Sequence, residues 1–276
     1  MKNSTLLASL ILTATASTGA IAHSSGHEAV SLQQVVSSDF RQDKNASRDN
    51  YRHPVETLKF FEVKPTDTVI ELWPGGGWYA EILAPYLAAD GQYVAGNFNT
   101  ETEDEKKKQG YRVKAGKKFE GWLNDNRSSL GQATTVTFEP PKFYSLGNEG
   151  SVDTVLTFRN LHNWAMKGHL QPVFESAYKV LKTGGTFGVV EHRANPGMDA
   201  KTGYMDEAEV IALAEKVGFT LVAKSEVNAN SKDTKDHPKG VWSLPPRLAL
   251  EDQDKEKYLA IGESDRMTLK FIKNSQ

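Results

Sequence analysis

The sequence predicts an α/β protein: a doubly wound, mostly parallel, seven-stranded sheet with helices on both faces and an antiparallel hairpin at one edge. Three observations predict it. Short β-type runs alternate with helical patterns over most of the chain. The first run breaks at a glycine triplet that leads into a helix. The last two runs have no helix between them, which suggests a hairpin at one edge.

Taken in order, RDNYRHPVETLKFFEVKP (48–65) gives a short helix, with Pro54 suited to its first turn. TVIELW (Thr68–Trp73) is the first strand. WYAEILAPYL (Trp78–Leu87) is the helix after it, with Pro85 expected to kink or end it. GQYVAGNF (Gly91–Phe98) is the second strand. A charged stretch and a helix containing Phe119, Trp122 and Leu123 follow, then TTVTF (Thr134–Phe138), stopped by Pro140-Pro141. VDTVLTF (Val152–Phe158) is the fourth strand. A helix over 169–181 is expected to close at Gly184-Gly185, ahead of a fifth strand, Thr186–His192. Asp206–Val217 is a helix ended by Gly218. Phe219–Val227 and Met267–Ile272 are the last two strands, with a long polar insert, 228–265, between them that could act as a substrate lid.

Composition narrows the function classes. Among 276 residues, 33 Lys and Arg stand against 35 Asp and Glu, so no basic field for nucleic acid exists and no nucleic-acid partner is expected. A content of 38% hydrophobic and 25% charged residues excludes disorder and multi-span membrane classes. The absence of Cys excludes disulfides, thiolate zinc sites, iron–sulfur clusters and thiol nucleophiles.

Residues 1–22 read as a secretory signal peptide: Lys2, then the apolar Leu6, Leu7, Leu10, Ile11 and Leu12, then Ala20-Ile21-Ala22 as the small-x-small cleavage site. The apolar stretch falls short of the about 20 residues of a stable span, although an uncleaved anchor is the other reading. The expected location is the periplasm, with no stable membrane span after cleavage. Residues 23–47 form a polar arm, and 48–276 the α/β domain. Cleavage would expose His23 and His27, a conceivable copper-type pair in a stretch that reads as mobile. No other His cluster has ligand spacing, so no metal is expected.

The strongest local feature is VIELWPGGGWY (69–79): a strand, an acid, a glycine turn and a helix start. Gly75, Gly76 and Gly77 allow backbone geometry closed to other residues and a close ligand approach. The helix start offers free amide donors, and Glu71 could accept from a ligand ammonium or hydroxyl. A plain tight turn is the alternative. No GK[ST] follows, which excludes a Walker loop, and the nicotinamide pattern G-x-G-x-x-G is absent. His162, Glu191 and His192, at the ends of the fourth and fifth strands, are candidate bases; His162 could equally be a packing residue. His192-Arg193 could orient an anionic substrate or cap the strand. Trp78, Tyr79 and Trp164 could wall a pocket or fill the core. Tyr51, Arg52 and His53 could cover the mouth of a site or form a surface lead-in. Lys106–Lys108 read as a solvated face.

VIELWPGGGW, SVDTVLTFRNLHNW and LKTGGTFGVVEH resemble the cofactor loop, the fourth strand with its loop, and the fifth-strand entry of class I S-adenosylmethionine-dependent methyltransferases. RHPVETLKFF, WPGGGWYAEILAPYL, TFRNLHNW and EHRA are similar to an exported bacterial branch of predicted methyltransferases. The resemblance spans most of 48–273 and implies a Rossmann-like methyltransferase fold with S-adenosylmethionine as cofactor. It places Glu71, Gly75 and Gly77 in the first motif, with Trp73 where the earliest glycine usually is. It puts Asn97 or Asn99 in place of the ribose-binding acid, Glu139 at the adenine amino group, and Arg159, Asn160 and Leu161 along the pocket. The activity implied is methyl transfer to a small molecule or exported peptide, in which proximity and alignment matter most and a base is needed only for a protonated acceptor. A catalytically inactive periplasmic ligand-binding protein on the same fold is the alternative.

Overall fold

The protein is described by a computed structural model over residues 30–274; the signal-peptide segment, His23 and His27 lie outside the described residues. Helices α1 (Leu32–Val36), α2 (Asp43–Ala46), α3 (Asp49–Arg52) and α4 (Pro54–Phe60) precede β1 (Thr68–Leu72). Then come α5 (Ala80–Tyr86), β2 (Gln92–Asn97), α6 (Glu105–Lys108), α7 (Tyr111–Asp125), β3 (Thr134–Thr137) and β4 (Val152–Phe158). The rest is α8 (Leu161–Ala165), α9 (Leu170–Val180), β5 (Leu181–His192), α10 (Glu207–Val217), β6 (Phe219–Ser225), α11 (Lys255–Ile261) and β7 (Arg266–Lys273).

The seven strands form one sheet in the order β3-β2-β1-β4-β5-β7-β6. β1 pairs in parallel with β2 and β4, whereas β7 is antiparallel to both β5 and β6. The expected hairpin is therefore present, with its second strand slotted inside its first. Central β1 is buried on both faces through Val69, Ile70 and Leu72, as a strand covered by helices on two sides must be. One face carries Val173, Phe174 and Ala177 of α9 with Val210 and Ala214 of α10. The other carries Leu32 of α1, Leu58 of α4, Ile82 and Leu83 of α5, and Phe119 and Leu123 of α7. α10 begins and ends as its sequence dictates: the Asp206 carboxylate accepts from the Ala208 and Glu209 amides, and Gly218 leaves the helix at φ 115°.

Three local expectations change. Gly184-Gly185 does not close α9; the helix ends at Leu181, already extended, and the glycines fall inside β5, where a Cβ on Gly185 would meet the Asp153 carbonyl at 3.0 Å. The helix around Pro85 is shorter than expected: α5 begins at Ala80 and stops at Tyr86, one residue after the proline. Trp73 leaves the strand: its amide still donates to the Gly96 carbonyl, but its φ of 50° swings the indole aside. The arm, from residue 30, is docked on the domain, with the Trp78 indole donating to the Asn45 carbonyl at 2.8 Å. No helix among the described residues is long and apolar enough to cross a membrane.

Candidate functional site

The strand order reverses between β1 and β4, and ligands bind open α/β sheets at the carboxyl ends of strands beside such a reversal. A crevice of about 200 Å³ lies there, lined by Glu71, Gly75, Gly76, Arg48, Arg52 and Arg159 among others. Gly75 and Gly77 have φ of 59° and 80°, so the turn needs glycine at both, whereas Gly76 does not need it. The turn leads through residues 78 and 79 before α5 starts at Ala80, so the helix start expected directly after the glycines is displaced from the crevice. The Asn160 amide donates to the Leu72 and Trp73 carbonyls at 3.0 and 3.2 Å, tying the loop after β4 to the turn.

Charge is concentrated in this crevice. Glu71 is buried and accepts from the Tyr93 hydroxyl at 2.7 Å; burial pushes its pKa up to about 7, against the opposing pull of that hydrogen bond and of Arg159. Arg48 and Arg52 reach Glu263 at 2.5 and 3.1 Å, and Arg266 contacts the same carboxylate. Burial acts to raise the Glu263 pKa, but the guanidiniums of Arg266, Arg52, Arg159 and Arg48 outweigh it and hold this acid well below the carboxylate range. Arg48 Nη2 and Arg52 Nη1 are buried without a hydrogen-bond partner. Arg159, at φ 61°, has no ion-pair partner among the described residues, and burial followed by Arg266 pulls its pKa down to about 10, still charged at neutral pH. Past Gly75, Gly76 and Arg48 the crevice continues into a cleft of about 630 Å³ lined by Lys44, Lys114, Lys118, Phe119 and Trp122.

Toward β3 the polar groups have internal partners, although a second cavity of about 580 Å³ opens there, lined by Asn99, Tyr111, Arg112 and Glu139 among others. The Trp73 indole packs against Phe98 and Trp164, with ring centroids 5.0 and 4.8 Å away, and donates to the Phe138 carbonyl at 2.7 Å. The Arg112 guanidinium lies 4.6 Å over it. Glu139 is occupied by the Asn99 amide at 2.9 Å and by Arg112 at 3.0 Å. The Asn97 side chain donates to the Gly116 carbonyl and Glu120. Trp164 is therefore core, while Trp78 and Tyr79 line the crevice.

The candidate bases do come together. Glu191, fully buried, accepts from the Leu161 amide at 2.5 Å, His162 Nδ1 at 3.1 Å and the His192 amide at 2.8 Å. Donation from Nδ1 leaves His162 Nε2 to accept from the Asn163 amide at 3.0 Å, a tautomer assigned from the hydrogen-bond network. Burial, then His162 and the nearby arginines, hold the His192 pKa well below its usual value, so this ring is neutral. None of the three lines the crevice at the glycine turn. His162, Glu191 and His192 bring ligand atoms within 4.8 Å of one another, a two-histidine, one-carboxylate set that sequence spacing did not reveal. As wired, both Glu191 oxygens are taken by donors, and the neighbouring arginines oppose a cation.

The insert closes over this triad, with Trp242 5.9 Å from the His162 ring. It is held down by Asp233, which accepts from Tyr204 and faces His237 Nε2 at 2.9 Å. It also supplies Glu263 to the arginines. Arg193 is not free to orient an anionic substrate, because Asp265, Glu226 and Glu207 occupy it. Sequence reasoning missed Arg48, Arg266 and Glu263; the four-residue spacing of Arg48 and Arg52, which puts two guanidiniums on one side of a helical turn, was the available signal.

No protein-family model matches this chain, and no curated protein matches it. Solved structures do. A SAM-dependent methyltransferase from Aquifex aeolicus is 19% identical with a TM-score of 0.50, over 66% of this chain and 87% of that one. The fold is that of the S-adenosylmethionine-dependent methyltransferases. A methyltransferase candidate from Bacillus halodurans is 18% identical at a TM-score of 0.50, covering 81% of this chain and 100% of its own. The [4+2]-cyclase SpnF is 14% identical at a TM-score of 0.55, covering 87% of this chain and 86% of its own. A cyclase among the neighbours means that the fold alone does not settle the reaction.

S-adenosylmethionine is the cofactor this fold implies. The crevice residues suit its amino-acid half in kind: Glu71 would face the ammonium, and Arg52 and Arg159 the carboxylate. Its adenosyl half would meet Trp73, which lines the crevice and whose indole is bonded to the Phe138 carbonyl.

Proposed function

We propose that this chain is an S-adenosylmethionine-dependent methyltransferase of the cell envelope, of the exported bacterial branch its motifs resemble, acting on a small molecule or exported peptide. The observation that carries the reading is the crevice at the β1–β4 reversal, where Glu71, Asn160 and three arginines converge beside a turn with positive φ at Gly75 and Gly77, on a methyltransferase fold. The bound cofactor would supply an electrophilic methyl group. The chain's own part is to hold the ligand's carboxylate and ammonium, to exclude water under the insert, and, for a protonated acceptor, to take a proton at His162 Nε2 with Glu191 holding the ring. Trp73 must leave its seat for the adenosyl half to enter. That cost reduces apparent affinity by the fraction of molecules in the open state.

One observation favours a second reading. The Trp73 indole is hydrogen-bonded, packed on two rings and 6% exposed, which suits a ligand-binding protein on this fold that has given up transfer. Calorimetry with S-adenosylhomocysteine and a methyl-release assay, on wild type and Trp73→Gly, separates the two. Wild-type binding and release support the enzyme. Wild-type binding without release supports the binding protein, and silence in the wild type with binding gained in Trp73→Gly shows that the indole closes the site to the cofactor.

A further inference from the structure

We infer that the crevice at the glycine turn is a dianion site: with Trp73 in place it takes a small molecule bearing a phosphate-like or dicarboxylate head, held by Arg48, Arg52 and Arg159, with an apolar body lying toward Phe119 and Trp122. Four guanidiniums, from Arg48, Arg52, Arg159 and Arg266, act on one another here, and Glu263 is the one carboxylate among the described residues that pairs with any of them, holding three. Three positive charges are left over. Glu71, near its midpoint at neutral pH, removes at most one. Two or three charges therefore await a partner, among guanidiniums that are buried at Arg52 and Arg266 and half-buried at Arg48 and Arg159, and burying charge without one is costly.

The hydrogen bonds agree with the charges. Arg52 is 3% exposed yet its Nη1 has no acceptor, and Arg48 Nη2 is likewise buried and unpaired, although both residues line the crevice. Guanidinium forks suit the paired oxygens of phosphate, sulfate and carboxylate. A zwitterionic amino-acid head brings no net negative charge, and a sulfonium adds a positive one, so neither removes the excess. A dianion does. The adjoining cleft continues the pattern, with Lys44, Lys114 and Lys118 on its wall beside Phe119 and Trp122 and no carboxylate among its lining residues.

The inference rests on the crevice described above and does not require methyl transfer. The test is calorimetry of the purified protein with sulfate, succinate and acetate at constant ionic strength in chloride, together with thermal unfolding. Sulfate or succinate should bind at least tenfold more tightly than acetate, and preference between the two tells a phosphate-like from a dicarboxylate ligand. Arg159→Met should lower dianion affinity at least tenfold while leaving the unfolding temperature in chloride unchanged or raised, since an unpaired charge is removed. A purely structural arginine would lower that temperature. Arg159→Lys should restore part of the affinity. Dianions no better than acetate, or unchanged sulfate affinity in Arg159→Met, would overturn the site. Sulfate binding without S-adenosylhomocysteine binding keeps the site and removes the methyltransferase reading; the reverse removes the site alone.

Discussion

The two halves of the sheet's carboxyl edge differ in one respect that decides their chemistry. Toward β3 Trp73, Glu139 and Asn97 have internal partners, Trp73 on Phe138, Glu139 on Asn99 and Arg112, Asn97 on Gly116 and Glu120, beside an open cavity that Asn99 and Glu139 also line. Toward β4 the groups are left wanting, with guanidinium nitrogens buried and unpaired around one shared carboxylate. A folded chain pairs nearly all its buried polar groups, so an unpaired cluster marks where an external partner belongs. In hydrogen bonding, then, the β3 half is filled and the β4 half unfilled.

Glu263→Gln attacks the unfilled half most severely, because it strips four guanidiniums of their shared counter-charge. A loss of about 3–5 kcal/mol is expected in urea unfolding, partly restored by sulfate. Unchanged stability would mean the arginines are already neutralised by other groups.

Trp73→Gly attacks the filled half. Removing a buried indole costs about 3–5 kcal/mol, with a little returned because glycine suits a φ of 50°. The variant should gain S-adenosylhomocysteine affinity by calorimetry. Intact stability would show that the indole is not packed as described.

Glu71→Gln sharpens the comparison through pH. The folded pKa of about 7 lies above the unfolded 4.5, so between these values the folded state holds a proton the unfolded state has released, and stability falls as pH rises through that window. The full penalty, on the order of 3 kcal/mol, is present above pH 7. His192, depressed on folding, acts in the opposite sense below its unfolded pKa and is common to both proteins, so the difference between wild type and variant is the readout. Glu71→Gln should unfold at a higher temperature than wild type at pH 8 and lose that advantage at pH 4.5. Parallel curves would contradict the raised pKa.

His162→Gln removes one of the donors to Glu191 and should cost about 1 kcal/mol in thermal unfolding, with methyl release abolished if this ring is the base. Lys107→Ala, on an exposed face bearing a single long ion pair at 3.7 Å, should change stability by less than about 0.5 kcal/mol and leave ligand binding alone.

Much of the fold was legible because its signals are local. Val152–Phe158 is a strand in both readings, Asp206 and Gly218 bound their helix, and the strand before the glycine turn is central. Gly184-Gly185 was misread because a glycine pair after a helix looks alike whether it caps the helix or bends the strand that follows. At the site, Glu71, Gly75, Arg159 and Asn160 were found from one motif and one loop, and they do line a single crevice. Asn97, Asn99 and Glu139 were named from the same resemblance, yet their partners are internal.

The sequence by itself determined the alternating strands and helices, the parallel sheet and the turn that opens its central crevice, since each depends on side-chain periodicity and backbone freedom within a few residues. Only the tertiary structure decided that Arg48, Arg52 and Arg266 pair with Glu263, that Arg159 stands by without an ion pair among the described residues, and that the Trp73 indole lies across to Phe138. Glu263 is 211 residues from Arg52 along the chain. Charge balance is a property of distances in space, and no local pattern encodes it.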